Sequence, residues 1–253
     1  MWDPQQYLAF AEHRDRPAHD LLARVGARNP RRVVDLGCGA GNLTPLLSVR
    51  WPEATVEATD ASPEMVRAAR AEGIDARLAD VRDWRPAADA DVVVCNAVLQ
   101  WVPEHVALLR AWLPALPPGA WFAFQVPGNF EAPAHRSLYE LVAEPEWPDH
   151  LEELLCKPDC VLPATGYAEA IADLGLEVDA WETTYVHRLR GADPVLEWLG
   201  GTALRPIEAA LDESRWQRFR AELAPRLRTA YPQRADGTTW FPFRRIFAVA
   251  YRQ

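Results

Sequence analysis

From Val33 to Asn42 the chain reads Val-Val-Asp-Leu-Gly-Cys-Gly-Ala-Gly-Asn. An apolar run ends in an acid, Asp35, and glycines follow at positions 37, 39 and 41, after which a helical pattern opens at Leu43. A strand that leaves through glycines onto a helix start makes a cradle for a cofactor, because glycine adopts positive φ and lets backbone approach a ligand with no Cβ between them. The dinucleotide fingerprint G-x-G-x-x-G seats a pyrophosphate on the helix N-terminus. Gly37 and Gly39 fit it, but the third glycine comes one residue early, at Gly41, and Asn42 holds the expected place. With Asp35 two residues before Gly37, the spacing suits a ligand without a pyrophosphate, whose ammonium is better met by carbonyls and a carboxylate.

Asp-x-Gly-x-Gly-x-Gly resembles the first motif of the class I S-adenosylmethionine-dependent methyltransferases. Three further positions follow in the matching order. Thr55–Asp60 reads as a second strand ending in an acid, and such an acid can hold both ribose hydroxyls. Ala76–Ala79 reads as a short third strand that runs into Asp80, where a carboxylate can accept from the adenine amino group. Asp91–Cys95 reads as a fourth strand that runs into Asn96. Each acid alone is an ordinary turn residue after a strand; four such coincidences in chain order, three acids and Asn96, are a set.

These residues need a scaffold. Strand and helix alternate from Arg32 to Val126, with strands at Arg32–Leu36, Thr55–Asp60, Ala76–Ala79, Asp91–Cys95 and Ala120–Val126 and helices between them, which predicts a parallel sheet covered on both faces. Before it, Pro4–Arg14 and Pro17–Ala27 read as two short helices. After it the rhythm breaks. Pro127–Pro163 is rich in proline, acids and tryptophan, with a helical piece at Ala134–Ala143. Thr165–Leu174, Asp193–Leu199 and Glu208–Tyr231 read as helices, Leu176–Leu189 as a sixth strand and Arg244–Tyr251 as the last, which gives an antiparallel edge with a helical insertion.

The chain has 253 residues, 49% of them hydrophobic, which suffices for one α/β domain with a cap. No apolar run is long enough to span a bilayer, and the N-terminus lacks a basic flank and an apolar core, so a soluble, cytoplasmic protein is expected. The net charge is −9, with no basic stretch, which argues against nucleic acid and membrane surfaces as partners. Four cysteines are too few and too scattered for a disulfide framework. Cys156 and Cys160 have Cys-x-x-x-Cys spacing without the second pair a zinc site needs. Lys157 is the one lysine; the other basic side chains are arginines, which grip carboxylates in two bonds.

A closer resemblance covers essentially the whole chain. Tyr7-Leu8-Ala9-Phe10 with Arg14-Asp15-Arg16-Pro17, Leu99-Gln100-Trp101 with Pro103 and His105, and Gln125-Val126-Pro127 with Asn129 are similar to the trans-aconitate 2-methyltransferase family. So are Trp181 with Thr183-Thr184-Tyr185 and His187, Leu204-Arg205-Pro206, Tyr231-Pro232 and Arg245-Ile246-Phe247. The stretch Pro145–Pro163 departs from that pattern.

The resemblance implies a Rossmann-like α/β fold with a seven-stranded, mostly parallel sheet, helices on both faces, one antiparallel strand and a mostly helical substrate cap. It implies one domain over 1–253, with an N-terminal helical lid at 1–30, a cofactor-binding core at 31–126 and cap insertions at 127–164 and 190–240. The implied cofactor is S-adenosyl-L-methionine, released as S-adenosyl-L-homocysteine, with no metal. Its expected site is Asp35, Gly37, Gly39 and Gly41 at the methionine end, Asp60 and Ala61 at the ribose, Asp80 and Val81 at adenine, with Asn96 and Arg14. Asn96 acts there through its backbone carbonyl, or its side chain shapes the turn.

The implied reaction is methyl transfer to a carboxylate of a small polycarboxylate, with trans-aconitate as the family substrate. A carboxylate is already anionic at pH 7. The protein then needs no general base, only position and exclusion of water. Because the whole chain is negative, local arginines must bind the anion, and Arg14, Arg205 and Arg245, the last with help from Arg244, are the candidates; Arg14 is equally a candidate for the cofactor carboxylate. Tyr7, Gln100, Trp101 and Tyr185 are expected to complete the substrate pocket, Gln100 and Trp101 as positioning residues. A monomer or weak homodimer is expected. His13, His105 and His187 become candidate bases if the acceptor is a hydroxyl or amine. Three alternatives stand beside this reading: another acid or a natural-product hydroxyl as acceptor; a nicotinamide-dependent oxidoreductase, against which the glycine spacing counts; and a non-catalytic cofactor-binding protein.

Overall fold

A computed structural model describes the backbone of residues 11–253 and the side chains of residues 16–253. Its centre is a seven-stranded sheet in the order β3-β2-β1-β4-β5-β7-β6. The strands are β1 (Arg32–Leu36), β2 (Thr55–Asp60), β3 (Ala76–Leu78), β4 (Ala90–Asn96), β5 (Trp121–Pro127), β6 (Glu177–Arg190) and β7 (Thr238–Tyr251). The first five pair in parallel, and β7 runs antiparallel to both β5 and β6. The antiparallel strand is thus one place in from the edge, and β6 is the edge itself.

Helices α1 (Ala11–Leu22) and α2 (Thr44–Arg50) cover one face, where Leu21, Val25, Val33, Leu47 and Val92 share a core. On the other face α4 (His105–Trp112) and α7 (Ala164–Ala172) bury Leu109, Trp112, Tyr167 and Ile171 against Phe122 and Phe124. Between β2 and β3, α3 (Pro63–Ala71) starts as its sequence dictates: the Ser62 hydroxyl accepts from Met65 N, and Pro63 and Glu64 fill the first turn.

At the N-terminus, α1 runs continuously through Pro17, where two helices are expected. A proline removes one helical hydrogen bond. Here that cost is offset by burial of Ala18, Leu21 and Leu22 on the sheet. The part of the expected lid before Ala11 lies outside the described residues; from Ala18 onward the segment belongs to the sheet's own core.

Late in the chain, β6 and β7 pair over 14 residues without a register shift, from Glu177↔Tyr251 to Arg190↔Thr238. β5 accompanies β7 only from Arg245 onward. The two long strands overshoot the sheet and become the spine of a second apolar cluster. Leu189, Phe241 and Phe243 pack there with α5 (Pro133–Val142), α6 (His150–Glu153), α8 (Pro194–Gly200) and α10 (Glu213–Ala230). The segment expected as one helix over 208–231 is two, α9 (Arg205–Ala210) and α10, because Asp212 caps Arg215 N and starts a new helix.

Candidate active site

The C-terminal ends of β1, β2 and β4 open onto a cavity of about 480 Å³. Ligands of open α/β sheets bind at this edge, where the strand order reverses. The loop after β1 is fastened to β2: Gly37 N and Cys38 N both donate to Thr59 O at 2.8 Å. Gly37 has φ +82°, and a Cβ there would strike Val98 at 2.3 Å, so this close crossing requires glycine. A Cβ on Gly39 would meet nothing within 4 Å; it would stand in the cavity, in the space a ligand needs. Gly41 serves differently from expectation. It does not line the cavity, and its backbone packs so close to Ile74 that a Cβ would lie 2.1 Å from the Ile74 side chain.

The acids take distinct positions around this cavity. Asp60 accepts from Gly39 N through Oδ2 and from Ser62 N through Oδ1, each at 2.8 Å, so the carboxylate is aimed before any ligand arrives. Burial raises its pKa, and these two N–H groups oppose the rise. Asp35 is 1% exposed and accepts from the Thr44 hydroxyl at 2.6 Å, which ties β1 to the start of α2. Burial pushes its pKa up to about 7, against the Thr44 bond, with the Asp60 charge adding to the rise. Asp80 lines the cavity with Ala61 and Val81. Its carboxylate is already gripped by Arg82, whose Nε and Nη2 donate at 2.9 and 2.5 Å. The side-chain hydrogen bonds to Arg82 hold its pKa below the ordinary value.

A second cavity, about 90 Å³, adjoins the first at Ala97 and Trp101. Ala97 is the one non-glycine residue of positive φ among the described residues, at +59°. The left-handed turn is held from both sides, since Ala97 N donates to Gln125 O at 2.9 Å and Ala97 O accepts from Gln100 Nε2 at 2.6 Å. Strain of this kind persists where the surroundings over-determine the backbone. Ala97→Gly should therefore raise Tm by about 1–3 °C, the relief of left-handed strain exceeding the added chain entropy of glycine. Thermal unfolding in the absence of ligands checks this, and a fall in Tm contradicts it.

Arg245 lines the second cavity and is 5% exposed. Its guanidinium lies over the Phe243 ring at 4.9 Å, and Nη1 donates to Gln125 Oε1 at 3.0 Å. Gln125 Nε2 in turn donates to Asn96 Oδ1 at 2.6 Å. Register explains the chain of contacts. Asn96 stands opposite Gln125 across β4 and β5, and Gln125 opposite Phe247 across β5 and β7. Arg245, two residues before Phe247, is Gln125's diagonal neighbour on the same face. A buried amide thus connects the wall of the first cavity to the cation in the second. Asn96 also lines the first cavity, and its side chain belongs to this link.

Gln100, Asn129, His135 and Thr202 add polar groups to the lining of the second cavity. Gln100 Oε1 and Asn129 Oδ1 are buried with no partner among the described residues, which marks a polar ligand's place. Burial pushes the His135 pKa down to about 4, so its imidazole is neutral at pH 7.

Other expected residues stand elsewhere. Tyr185 lines neither cavity; its hydroxyl donates to Asp20 of α1 at 2.6 Å. Arg205 also lines neither and is ion-paired with Glu208 at 2.8 Å. Arg244 donates to Gly128 O at 2.6 Å and lies 3.5 Å from Glu182. Tyr7 lies outside the described residues, as does the side chain of Arg14 on α1. His105 is bound to Val102 O and the Tyr167 hydroxyl in the core, and His187 stacks on Trp198 with ring centroids 4.8 Å apart.

Among the lining or linking positions that escape the sequence-derived site are Ala97, Gln125, Asn129 and His135. Gln125 carries a legible signal, an amide inside the otherwise apolar run Ala120–Val126. Ala97 carries none, because its chemistry is in its backbone.

Comparison with known proteins gives the family and the fold. A sequence family described as a methyltransferase domain matches residues 10–180. The trans-aconitate 2-methyltransferase of Mycolicibacterium gilvum (strain PYR-GCK) is 61% identical over 99% of this chain and 98% of its own. That of Rhodococcus jostii (strain RHA1) is 60% identical over 100% of each. Phosphoethanolamine N-methyltransferase 2 of Haemonchus contortus, in complex with phosphomonomethylethanolamine and S-adenosylhomocysteine, superposes with a TM-score of 0.56. The match covers 94% of this chain and 53% of that one at 15% identity, a likeness of fold. The sheet order and the single antiparallel strand are those of class I S-adenosylmethionine-dependent methyltransferases. With these relatives matched end to end, the chain belongs to the methyltransferase-domain family and, within it, to the trans-aconitate 2-methyltransferases.

Proposed function

We propose that the protein is an S-adenosylmethionine-dependent carboxyl O-methyltransferase that forms a monomethyl ester of trans-aconitate. The observation that carries this reading is the buried Arg245 in a small cavity that meets the glycine-loop cavity at Ala97 and Trp101. The names of the full-length relatives supply the acid.

The residues fit the cofactor. Gly39 leaves room where a Cβ would intrude, Asp60 presents an oriented carboxylate suited to a ribose, and Asp35 offers a carboxylate suited to an ammonium. Bound there, S-adenosylmethionine supplies an electrophilic methyl group. In the second cavity Arg245 binds a substrate carboxylate with two N–H groups, fixing its orientation as well as its charge. Gln125 holds the guanidinium in place, and Trp101 and Ala97 form the wall at which the cavities meet. Asn129 adds a neutral amide. The buried setting strips water from the acceptor and strengthens the arginine's field. The acceptor oxygen is anionic at pH 7, so no residue has to remove a proton, and the cavity's only imidazole among the described residues, His135, is neutral. We assign the cap to 127–164 and 190–240, whose residues Thr202, Asn129 and His135 line the second cavity.

Incubation with methyl-labelled S-adenosylmethionine and trans-aconitate, cis-aconitate, citrate, isocitrate or malonate tests the proposal. Label should appear as base-labile, volatile methanol, with trans-aconitate preferred. Cofactor binding without ester on any acid would overturn it.

The pKa of Asp35 gives a pH prediction. Its raised value means that the carboxylate loses its charge as pH falls through about 7. An ammonium is held by the ionised form, so cofactor Kd should rise on acidification below about pH 7, by up to about tenfold per pH unit. Calorimetric titration from neutral to mildly acid pH reads this directly; Asp35→Asn should bind weakly throughout and flatten the profile. A Kd that is unchanged for the native protein contradicts the assignment.

A further inference from the structure

Cys156 and Cys160 lie beside the turn that carries Gln100 and Trp101 and have no part in the chemistry above. Both are half-buried, bracketing a tight turn in which Cys160 N donates to Lys157 O at 3.0 Å, and both pack against the edge of the sheet core. The Cys156 thiol donates to Gln100 O at 3.3 Å, while the Tyr139 hydroxyl donates to Cys156 O at 2.6 Å. Cys160 follows Cys156 by four residues, on the other side of that turn. The Gln100 carbonyl, on the turn that carries Gln100 and Trp101 into the two cavities, is therefore held by a thiol, and a second cysteine stands across a tight turn from it.

We propose that Cys156 and Cys160 form a peroxide-reactive thiol pair whose oxidation to a disulfide withdraws the hydrogen bond on Gln100 O and loosens the acid-binding wall. Cys156 is the attacking sulfur. The Cys160 hydrogen bond lowers its pKa against the effect of burial, and the same bond, followed by burial, raises that of Cys160. The other two thiols are unreactive by contrast: burial pushes Cys38 up to about 12 and raises Cys95 as well.

The step balances. The Cys156 thiolate attacks one oxygen of hydrogen peroxide; an S–O bond forms, the O–O bond breaks, and the departing hydroxide takes up the proton the thiol had released and leaves as water, giving a sulfenic acid. Cys160 then attacks that sulfur; the S–S bond forms, the S–O bond breaks and a second water leaves. The two sulfurs together lose two electrons, which reduce the peroxide. The turn bond from Cys160 N to Lys157 O folds the chain back between the two cysteines, the approach a disulfide requires. The disulfide has no S–H, so Gln100 O loses its donor.

The test treats the full chain with sub-millimolar hydrogen peroxide. Mass spectrometry should show the peptide holding both cysteines lighter by two hydrogens, reversed by dithiothreitol. Cys160→Ser, which keeps ordinary activity in reducing buffer, should instead accumulate a dimedone-trapped sulfenic acid on Cys156. The disulfide form should show a KM for the acid raised about fivefold, the size expected for one lost hydrogen bond, with cofactor Kd unchanged. Oxidation of Cys38 before Cys156, or no disulfide, would overturn the pairing. A disulfide that leaves the acid KM unchanged would overturn the link to the wall. The mass readout is independent of the substrate, so failure of the thiol chemistry and failure of the proposed reaction are distinguishable.

Discussion

Arg245→Ala should lower kcat/KM for trans-aconitate by about 10²–10³-fold and leave cofactor Kd within about twofold. Removing one partner of a buried, hydrogen-bonded charge pair costs about 2–5 kcal/mol. Arg245 is nearly fully buried, braced by Gln125 and by the Phe243 ring, so water cannot replace its charge. Arg245→Lys should recover part of the loss: it restores a point charge but not the planar fork that sets the carboxylate's orientation. A purely structural role would weaken cofactor binding and thermal stability together with the acid. Parallel titrations with S-adenosylhomocysteine separate the two, and a cofactor Kd that rises as acid turnover falls contradicts the role.

The mirror-image result is expected at Asp60. Asp60→Ala should raise cofactor Kd by about 10²-fold, while the acid KM at saturating cofactor stays near its native value. Two charge-assisted hydrogen bonds to hydroxyls are lost, each worth about 1.5–3 kcal/mol. Gly39 N and Ser62 N also lose the acceptor that positions the loop. Asp60→Asn keeps one acceptor oxygen and should fall between. A large change in acid KM with little change in cofactor Kd contradicts the assignment. The pair of variants forms a crossed test, since each cavity should lose its own ligand.

The first half of the site is legible in sequence because it is local. Asp35, Gly37, Gly39, Asp60, Asp80 and Asn96 sit at or just beyond strand ends, and a parallel sheet brings successive strand ends to one edge. The second half is built from residues far apart in the chain. Gln125 and Arg245 meet because β7 returns beside β5, a pairing that no spacing reveals. Arg205 and Arg245 look equivalent in sequence, but Arg205 stands on α9 paired with Glu208, while Arg245 points from a strand into a cavity.

The start of β7 shows why a local rule misleads. Pro242 argues against a strand, since proline has no N–H to give. Yet β7 already runs from Thr238, pairing there with β6 alone; β5 joins only at Arg245, so on that side no neighbouring strand awaits the missing donor. The break between α9 and α10 hides for the opposite reason. Helix-forming residues continue across it, and only Asp212 marks the new start.

The central claim is that the enzyme transfers a methyl to an anionic carboxylate by position alone. The most direct test is kcat for trans-aconitate, with both ligands saturating, measured from pH 6 to pH 9. The prediction is a flat profile, because the acceptor stays ionised over the whole range, and the Asp35 titration enters only the cofactor KM. A kcat that rises about tenfold per pH unit to a plateau would reveal a proton removed in the rate-limiting step and contradict the account.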